Sequence, residues 1–600
     1  MSWQTPPIDL QRFTICTAPL LGPFWYPSQI YSTLESQSIE RLTKLTDKDD
    51  NRGTLLPIPA DFPVEWENDA EVTYLWRWDS IHSPLPSSPM SISLGEDRVA
   101  RQAKQNPAAS NTATTSFRRR INGYSYSASL PTQATDEERQ KQTDEMDEAI
   151  GTLRELWDTE IRPTMETELG RAKSVQLRSL TDSELLEQLD DYLELSVKHW
   201  KFHNQVVGPT HSSVHRLSML YKEIMGDVTD DEPYRLIRGL DNKSLETDLA
   251  IQELAKKVRE APETLRIFIN NDEPSEILSS LDRSAEGTQF LKMLDKFLDV
   301  YGLRPTGFDA LYPSWKEDPS FVILNIRSFI QSSPRDIRTE QQTLSEDAEQ
   351  CQQMVLAKIG DDRDRIAEFQ TCLEHARELW PLKEDHAFYI DQGSAACLRI
   401  LLAEVGRRLS SHGVINDSDD VFYLTLDEAL TALKSPTSEN LGDLATERRN
   451  QRDAQITIIP PAFLGTLPGD GSLGMAPEFR SMMGPAPEAN GDQDETVLRG
   501  VGGASGSVTG PAKIVRSPEE FAKIRPGDIL VCTSTSPTWT PLFGTVGALV
   551  SDSGGVLSHT AIVAREYGLP AVVGVKDGTR RIADGQIITV DGDNGLVLLR

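Results

Sequence analysis

From about residue 135 to residue 433, apolar side chains recur at the spacing of one helix face; after about residue 500 that period vanishes. The change constrains the chain more than any single motif. A segment with a 3.6-residue apolar period buries its stripe only as a helix, whereas short β-branched runs between glycine turns bury theirs as strands. "TDSELLEQLDDYLELSVKHWKFH" is a clear helical case: Leu185, Leu189, Leu193, Val197 and Trp200 share a face. Thr181 with Glu184 forms a capping box there, which satisfies free amides at the helix start. "SAACLRILLAEVGRRL" repeats the pattern with Leu398, Leu401, Leu402, Val405 and Leu409, and "TLDEALTAL" opens on a second capping box, Thr425 and Glu428. Beyond residue 500, "GDILVC", "ALVSDS", "PAVVG" and "IITVDGDNGLVLL" read as strands, and only "SHTAIVAREYG" and "SPEEFAKI" as helices.

The chain is therefore expected to be multidomain. A mainly α-helical N-terminal and central region, with its helical domain over 135–461, precedes a compact α/β domain over 500–600. Two stretches have neither period. Residues 1–134 are rich in Pro, Ser and aromatics, as in "IHSPLPSSPMS", and are expected to wrap irregularly around the helical body. Residues 462–499, within "GTLPGDGSLGMAPEFRSMMGPAPEANGDQDE", read as a linker or hinge.

Charge and cysteine usage exclude several classes. Sixty-one basic residues against 92 acidic ones leave a formal charge of −31, which argues against nucleic acid and anionic membranes as partners. The one basic cluster, Arg118–Arg120, reads as a short solvated surface feature. No stretch approaches the ~20 apolar residues of a membrane span, and "MSWQTPPIDLQRFTIC" lacks the order of a signal peptide. Cys16, Cys351, Cys372, Cys397 and Cys532 form neither a CxxC pair nor a disulfide framework, so a reducing cytoplasm is the expected location.

Most short motifs carry little. "GDGSLG" at 469–474 has no strand before it and no helix after it, no phosphate loop of the GxxxxGK[ST] type occurs, and "DGDNG" at 591–595 reads as a hairpin turn. His199 and His203 lie one helical turn apart, with His211 and His215 following, but no acid completes a metal set, so no metal site is expected. Trp200 and His203 read better as pocket residues.

"GGVLSHTAIVAREYGLPAVVG" is different. Ser558 is placed to cap a helix that ends at Gly568, with His559 in its first turn, exposed at the positive end of the helix. Free backbone amides there favour an anion such as a phosphoryl group, and Gly554 and Gly555 clear the approach. On the residues alone, a nucleophilic carrier and a surface histidine without a task both remain open.

The segments "GGASGSVTGPAKIV", "GDILVCTSTSPTWTPLF", "GGVLSHTAIVAREYGLPAVVG" and "DGQIITVDGDNGLV" together resemble the mobile phosphohistidine domain of phosphoenolpyruvate-utilising enzymes, whose members include phosphoenolpyruvate synthase, pyruvate phosphate dikinase and rifampin phosphotransferase. The resemblance implies a swivelling domain in which His559 carries a phosphoryl group between distant sites. Ser558, Thr560, Arg565 and Glu566 also match its motif. Upstream, "KEDHAFYIDQGSAACLRILLAEVGRRLSSHGVINDSDDVFYLTLDEAL", "WRWDSIHSPLPSSPM" and "RRRINGYSYSAS" are similar to the substrate-binding region of rifampin-phosphotransferase-type proteins. Neither the ATP-grasp nucleotide domain of those proteins nor the barrel of the phosphoenolpyruvate users is recognisable in the sequence.

Two enzymatic expectations follow. In the first, a separate ATP-grasp subunit charges His559 with an ATP-derived phosphoryl group, the chain binding no cofactor itself. The phosphoryl group then passes to the hydroxyl of a small, aromatic or polycyclic substrate. His386, Glu384 and Asp385 are the base candidates, with Tyr389 beside them and Lys383 to neutralise phosphate. Trp200, His203 and Trp539 join this substrate-facing set. In the second, His559 is a general acid or base in a phosphate-independent lyase, dehydratase, isomerase or cyclase. A non-catalytic binding protein is a third reading, disfavoured by the intact histidine loop.

Overall fold

A computed structural model of the 600-residue chain describes residues 15–17, 53–105, 114–131, 135–229, 231–331, 336–435, 440–468, 483–484 and 496–600. It shows a mainly helical body followed by a C-terminal α/β unit.

The segment expected to wrap irregularly is ordered where it is described. Its strands are β1 (Ile15–Thr17), β2 (Thr54–Leu55), β3 (Leu75–Trp78), β4 (Thr114–Ile121) and β5 (Tyr124–Pro131). β4 and β5 form a hairpin around Asn122 and Gly123, which have φ of 50° and 82°. An Asn-Gly pair with both residues left-handed suits a tight hairpin, because its twist matches that of the flanking strands. Phe62, Trp76, Trp78, Tyr124 and Tyr126 form this sheet's aromatic core, and a helix over Pro89–Gln105 leads from it onto the body. The sheet is completed by β6 (Phe463–Leu467), which pairs antiparallel with β3. The start of the expected hinge is thus a strand, held by the ladder hydrogen bonds of its neighbours; residues 469–482 and 485–495 of that hinge lie outside the described residues.

The helical body is built on a 44-residue helix, Asp182–Met225, with the Thr181–Glu184 capping box in place. Leu185, Leu189 and Leu193 are buried against Trp157, Leu402, Val405 and Leu409. The Thr425–Glu428 box also forms. A short helix, Leu382–His386, runs into an eight-residue π-helical stretch, Ala387–Ser394, a widened winding that often accompanies functional sites.

The C-terminal sheet comprises β7 (Val497–Arg499), β8 (Val501–Ala504), β9 (Ser507–Val515), β10 (Ile529–Cys532), β11 (Ala548–Ser551), β12 (Ala571–Val573), β13 (Ile587–Asp591) and β14 (Leu596–Leu599), in the order β7-β14-β13-β9-β10-β11-β12-β8. β9 to β12 run parallel, so the loops after Cys532 and Ser551 leave the same carboxyl edge, the usual ligand edge of such sheets. The "DGDNG" stretch makes the turn between β13 and β14.

This unit is docked on the body through apolar contacts. Phe521, Trp539, Leu542 and Phe543 share a core with Phe290, Trp315 and Phe321, and the Phe321 and Phe521 ring centroids lie 5.2 Å apart. Val556, Leu557 and Ile562 pack into a second cluster with Tyr221, Phe369 and Trp380. Among the described residues, no helix is long and apolar enough to cross a membrane.

Candidate active site

The helix that carries His559 spans His559–Tyr567. Ser558 Oγ accepts from the Ala561 amide at 3.4 Å, and Gly568 ends the helix in the left-handed region at φ 62°. These local rules place the imidazole at the edge of the parallel strands. Its exposure differs from the sequence expectation. The His559 side chain is only 8% exposed, because docking brings the helical body over it. Neither ring nitrogen has a hydrogen-bond partner among the described residues, and Nδ1 approaches Glu384 Oε1 at 3.7 Å. Burial lowers its pKa, with Glu384 opposing, so the neutral form is favoured.

Glu384 accepts from Ser244 Oγ at 2.7 Å and from Lys383 Nζ at 3.2 Å. Burial alone would raise its carboxyl. Lys383, His559 and Ser244 outweigh burial and hold it well below the usual carboxylate range.

Across the same cavity, Asp391 stands between two imidazoles. Its Oδ1 lies 2.8 Å from His203 Nδ1 and its Oδ2 lies 3.5 Å from His386 Nε2. His386 Nδ1 sits 2.8 Å from the Leu382 carbonyl and donates to it. Burial works against charge on both rings. Asp391 wins at His386, whose pKa is raised, and burial wins at His203, whose pKa is lowered. One ring therefore favours the cation and its neighbour the neutral base. The donor atoms of His203, His386 and Asp391 lie within 4.8 Å of one another, a spacing that also admits a divalent cation. The histidines weighed from spacing do not form that set. His199 is spent on Glu168 and Ser394, at 2.7 and 2.8 Å, and only His203 of the four belongs to the converging donors.

The cavity, about 100 Å³, is lined by Lys383, Glu384, His386, Asp391, Ser558, His559 and Thr560, and by His82, His203 and His211. Five of the chain's nine histidines thus face one space. Thr560 Oγ1 meets Thr535 Oγ1 at 2.9 Å at its rim. The Trp200 ring lies tilted against His203, centroids 4.6 Å apart, and lines an adjoining cavity.

Other candidates point elsewhere. Tyr389 donates to Glu166 at 2.9 Å, away from the cavity. Asp385 accepts from the Lys243 amide at 2.8 Å, and burial raises its carboxyl to about 6. Arg565 lies over the Tyr234 ring and donates to the Val556 carbonyl, which fixes the loop before His559. Trp539 packs on Phe521 at 4.7 Å and borders a different cavity. Sequence reasoning missed Asp391, which the quoted "KEDHAFYIDQ" contains, and His82, whose Nδ1 pairs with Asp79 at 2.9 Å. A signal for both was the pile-up of histidines near acids in a chain poor in histidine.

Known proteins match this chain in sequence. Residues 524–595 match the family described as PEP-utilising enzyme, mobile domain, and residues 205–384 match the rifampicin phosphotransferase fourth domain. The chain carries a PEP-utilising enzyme mobile domain. The His559–Glu384 contact joins the two matched segments. Relatives include the chondramide synthase cmdD of Chondromyces crocatus, 32% identical over 91% of this chain and 14% of that protein. The uncharacterized phosphotransferase YvkC of Bacillus subtilis is 37% identical over 66% of this chain and 46% of its own length. The rifampicin phosphotransferase of Streptomyces sviceus is 32% identical over 59% and 40%, respectively. The chain spans less than half the length of each of these relatives.

Proposed function

We propose that the chain is a phosphotransferase component that passes a phosphoryl group from His559 to the hydroxyl of a small molecule held between the mobile domain and the helical body. The observation that carries this reading is the 3.7 Å approach of His559 to Glu384, which brings the mobile-domain histidine to the end of the helical segment shared with rifampicin phosphotransferases. A neutral imidazole is a competent nucleophile toward a phosphoryl donor. The amide-rich helix start behind Ser558, with Lys383 and the cationic form of His386, suits the transferred charge. In the delivery step the acceptor O–P bond forms and the His559 N–P bond breaks. The hydroxyl proton passes to His203, whose Nδ1–H is held by Asp391 and whose Nε2 is then an acceptor. Docking seals His559, so charging takes place with the domain released, and a separate ATP-grasp subunit is the donor. The acceptor is a small, aromatic or polycyclic alcohol or phenol.

A second reading has its own support. A neutral and a cation-favouring imidazole on one carboxylate, facing a third across a closed cavity, also form a base and an acid for a phosphate-independent lyase, dehydratase, isomerase or cyclase. Intact mass after incubation with ATP and an ATP-grasp partner separates the two. An acid-labile phosphoryl adduct on the wild type, absent from His559→Ala, is expected; turnover without any adduct overturns the phosphotransfer reading.

A further inference from the structure

Arg118–Arg120 keeps solvent exposure at Arg120, but β4 also carries the run to the wall of a cavity of about 380 Å³, where Arg452 and Arg516 join it. The five arginines come from three distant stretches of a chain whose net charge is −31. Clustering cations costs energy unless counter-charges sit among them. Three carboxylates line the cavity, Glu67, Glu96 and Asp309. They are fewer than the five arginines. Glu67 and Glu71 are taken up by Arg119, and Asp309 accepts from the Ser88 amide and hydroxyl, each at 2.7 Å. Arg120, Arg452 and Arg516 then share Glu96 and Asp309, both of which act on Arg120. Arg452 spends one donor on the Pro86 carbonyl at 2.8 Å, and among the described residues the Arg516 side chain makes one long hydrogen bond, 3.4 Å, to the Thr579 carbonyl. Arg120 makes no hydrogen bond or ion-pair contact among the described residues. Its side chain is exposed, so a ligand entering the cavity can reach it.

The rest of the wall suits an organic body. Pro84, Pro86, Phe308, Tyr312 and Trp539 supply apolar surface. The space adjoins the histidine cavity: Ile81, His82, Phe308 and residues 534–536 line both. Arg516 and residues 534–536 belong to the C-terminal unit, so the cavity is complete only when that unit is docked.

We infer that the arginine-lined cavity binds an organic oxyanion, a carboxylate or a phosphate ester, and so selects an anionic substrate whose other end reaches the histidine cavity. The planar guanidinium fork matches both oxyanions. The substrate role rests on the phosphotransfer reading; the binding does not.

Calorimetry on the full chain at low ionic strength tests the binding with three probes: 4-hydroxybenzoate, phenyl phosphate and the neutral 4-hydroxybenzyl alcohol. At least one anion binds tenfold or more tightly than the alcohol, and the tighter anion names the oxyanion. Arg120→Gln and Arg516→Gln each weaken that anion by about tenfold or more, the scale of a lost charged hydrogen bond. Arg120→Lys, which keeps the charge without the fork, falls between. If Arg120→Gln fails to fold, Arg516→Gln carries the test. Binding weakens in 0.5 M salt, which screens charge ~. His559→Ala leaves it unchanged. Equal affinity for alcohol and anions, no anion binding at millimolar concentration, or anion binding indifferent to both arginine variants overturns the inference. Anion binding intact in a chain that never forms a phosphoryl adduct retains this inference and removes only the phosphotransfer reading.

Discussion

The two adjoining cavities use charge in opposite ways. In the histidine cavity nearly every ionisable group has a partner: Glu384 with Lys383 and Ser244, Asp391 with two imidazoles, His82 with Asp79. Among the described residues, His559 stands with both ring nitrogens unbonded. In the arginine cavity the cations outnumber the carboxylates and one carboxylate is already occupied by backbone and serine donors. A site prepared for proton or group transfer holds its protonation states by internal pairing, so that one group is left reactive. A site prepared for recognition leaves charge uncompensated, so that the ligand supplies the partner. Both cavities close between the same two bodies, which ties recognition and chemistry to one docking event.

The largest expected effect breaks the histidine side alone. His559→Ala lowers turnover by at least ~10²-fold, the low end for a positioned reacting group, while anion binding persists. The ring makes no hydrogen bond, so loss of fold is not expected; a circular-dichroism melt checks this. Near-normal turnover would remove His559 from the chemistry. Asp391→Asn comes next. Without the carboxylate His203 loses its orientation and His386 the charge that raises its pKa, and turnover falls by about tenfold or more. An unchanged rate would make the network structural only.

A pH effect sharpens the docking argument. Glu566 lies near Glu384 and Asp248, with Lys383 and Arg565 as the nearby cations, and burial first, then Glu384, raise its carboxyl from 4.5 to about 8. A raised folded pKa means that the folded chain holds the proton longer than the unfolded chain. Its contribution is fully present below pH 4.5 and is lost as pH rises through about 8. Thermal stability is therefore expected to fall between pH 4.5 and about 8, and Glu566→Gln to flatten that fall. A variant with the wild-type slope would show that the charge is relieved elsewhere. The smallest effect belongs to Tyr389→Phe. It removes the hydrogen bond to Glu166, costs about 1 kcal/mol of stability and leaves turnover within twofold of wild type, because the hydroxyl faces away from both cavities ~.

What could be read in the sequence was what neighbours in the chain decide. The Ser558 cap, the Gly568 stop and the two capping boxes follow from residues three or four apart, and all formed. The His203–Asp391 pair is 188 residues apart, and nothing local marks it. The burial of His559 depends on docking against the helical body, which no period in the C-terminal stretch encodes. Arg118–Arg120 is a different case. The Asn122–Gly123 turn was a readable hairpin signal, and the alternation in "YSYSAS" after it would have placed the paired arginine run in a sheet.

The central claim is that one histidine carries phosphorus from a donor met in the released state to an acceptor held at the docked interface. Phosphorus NMR in a pulse–chase format tests it most directly: the chain is charged, the donor removed, and an anionic hydroxyl acceptor that the arginine cavity binds is added. The phosphohistidine signal is expected to decay as an equal quantity of phosphate ester appears. A phosphohistidine signal that persists beside bound acceptor, or product formed with no phosphorus in it, would contradict the account.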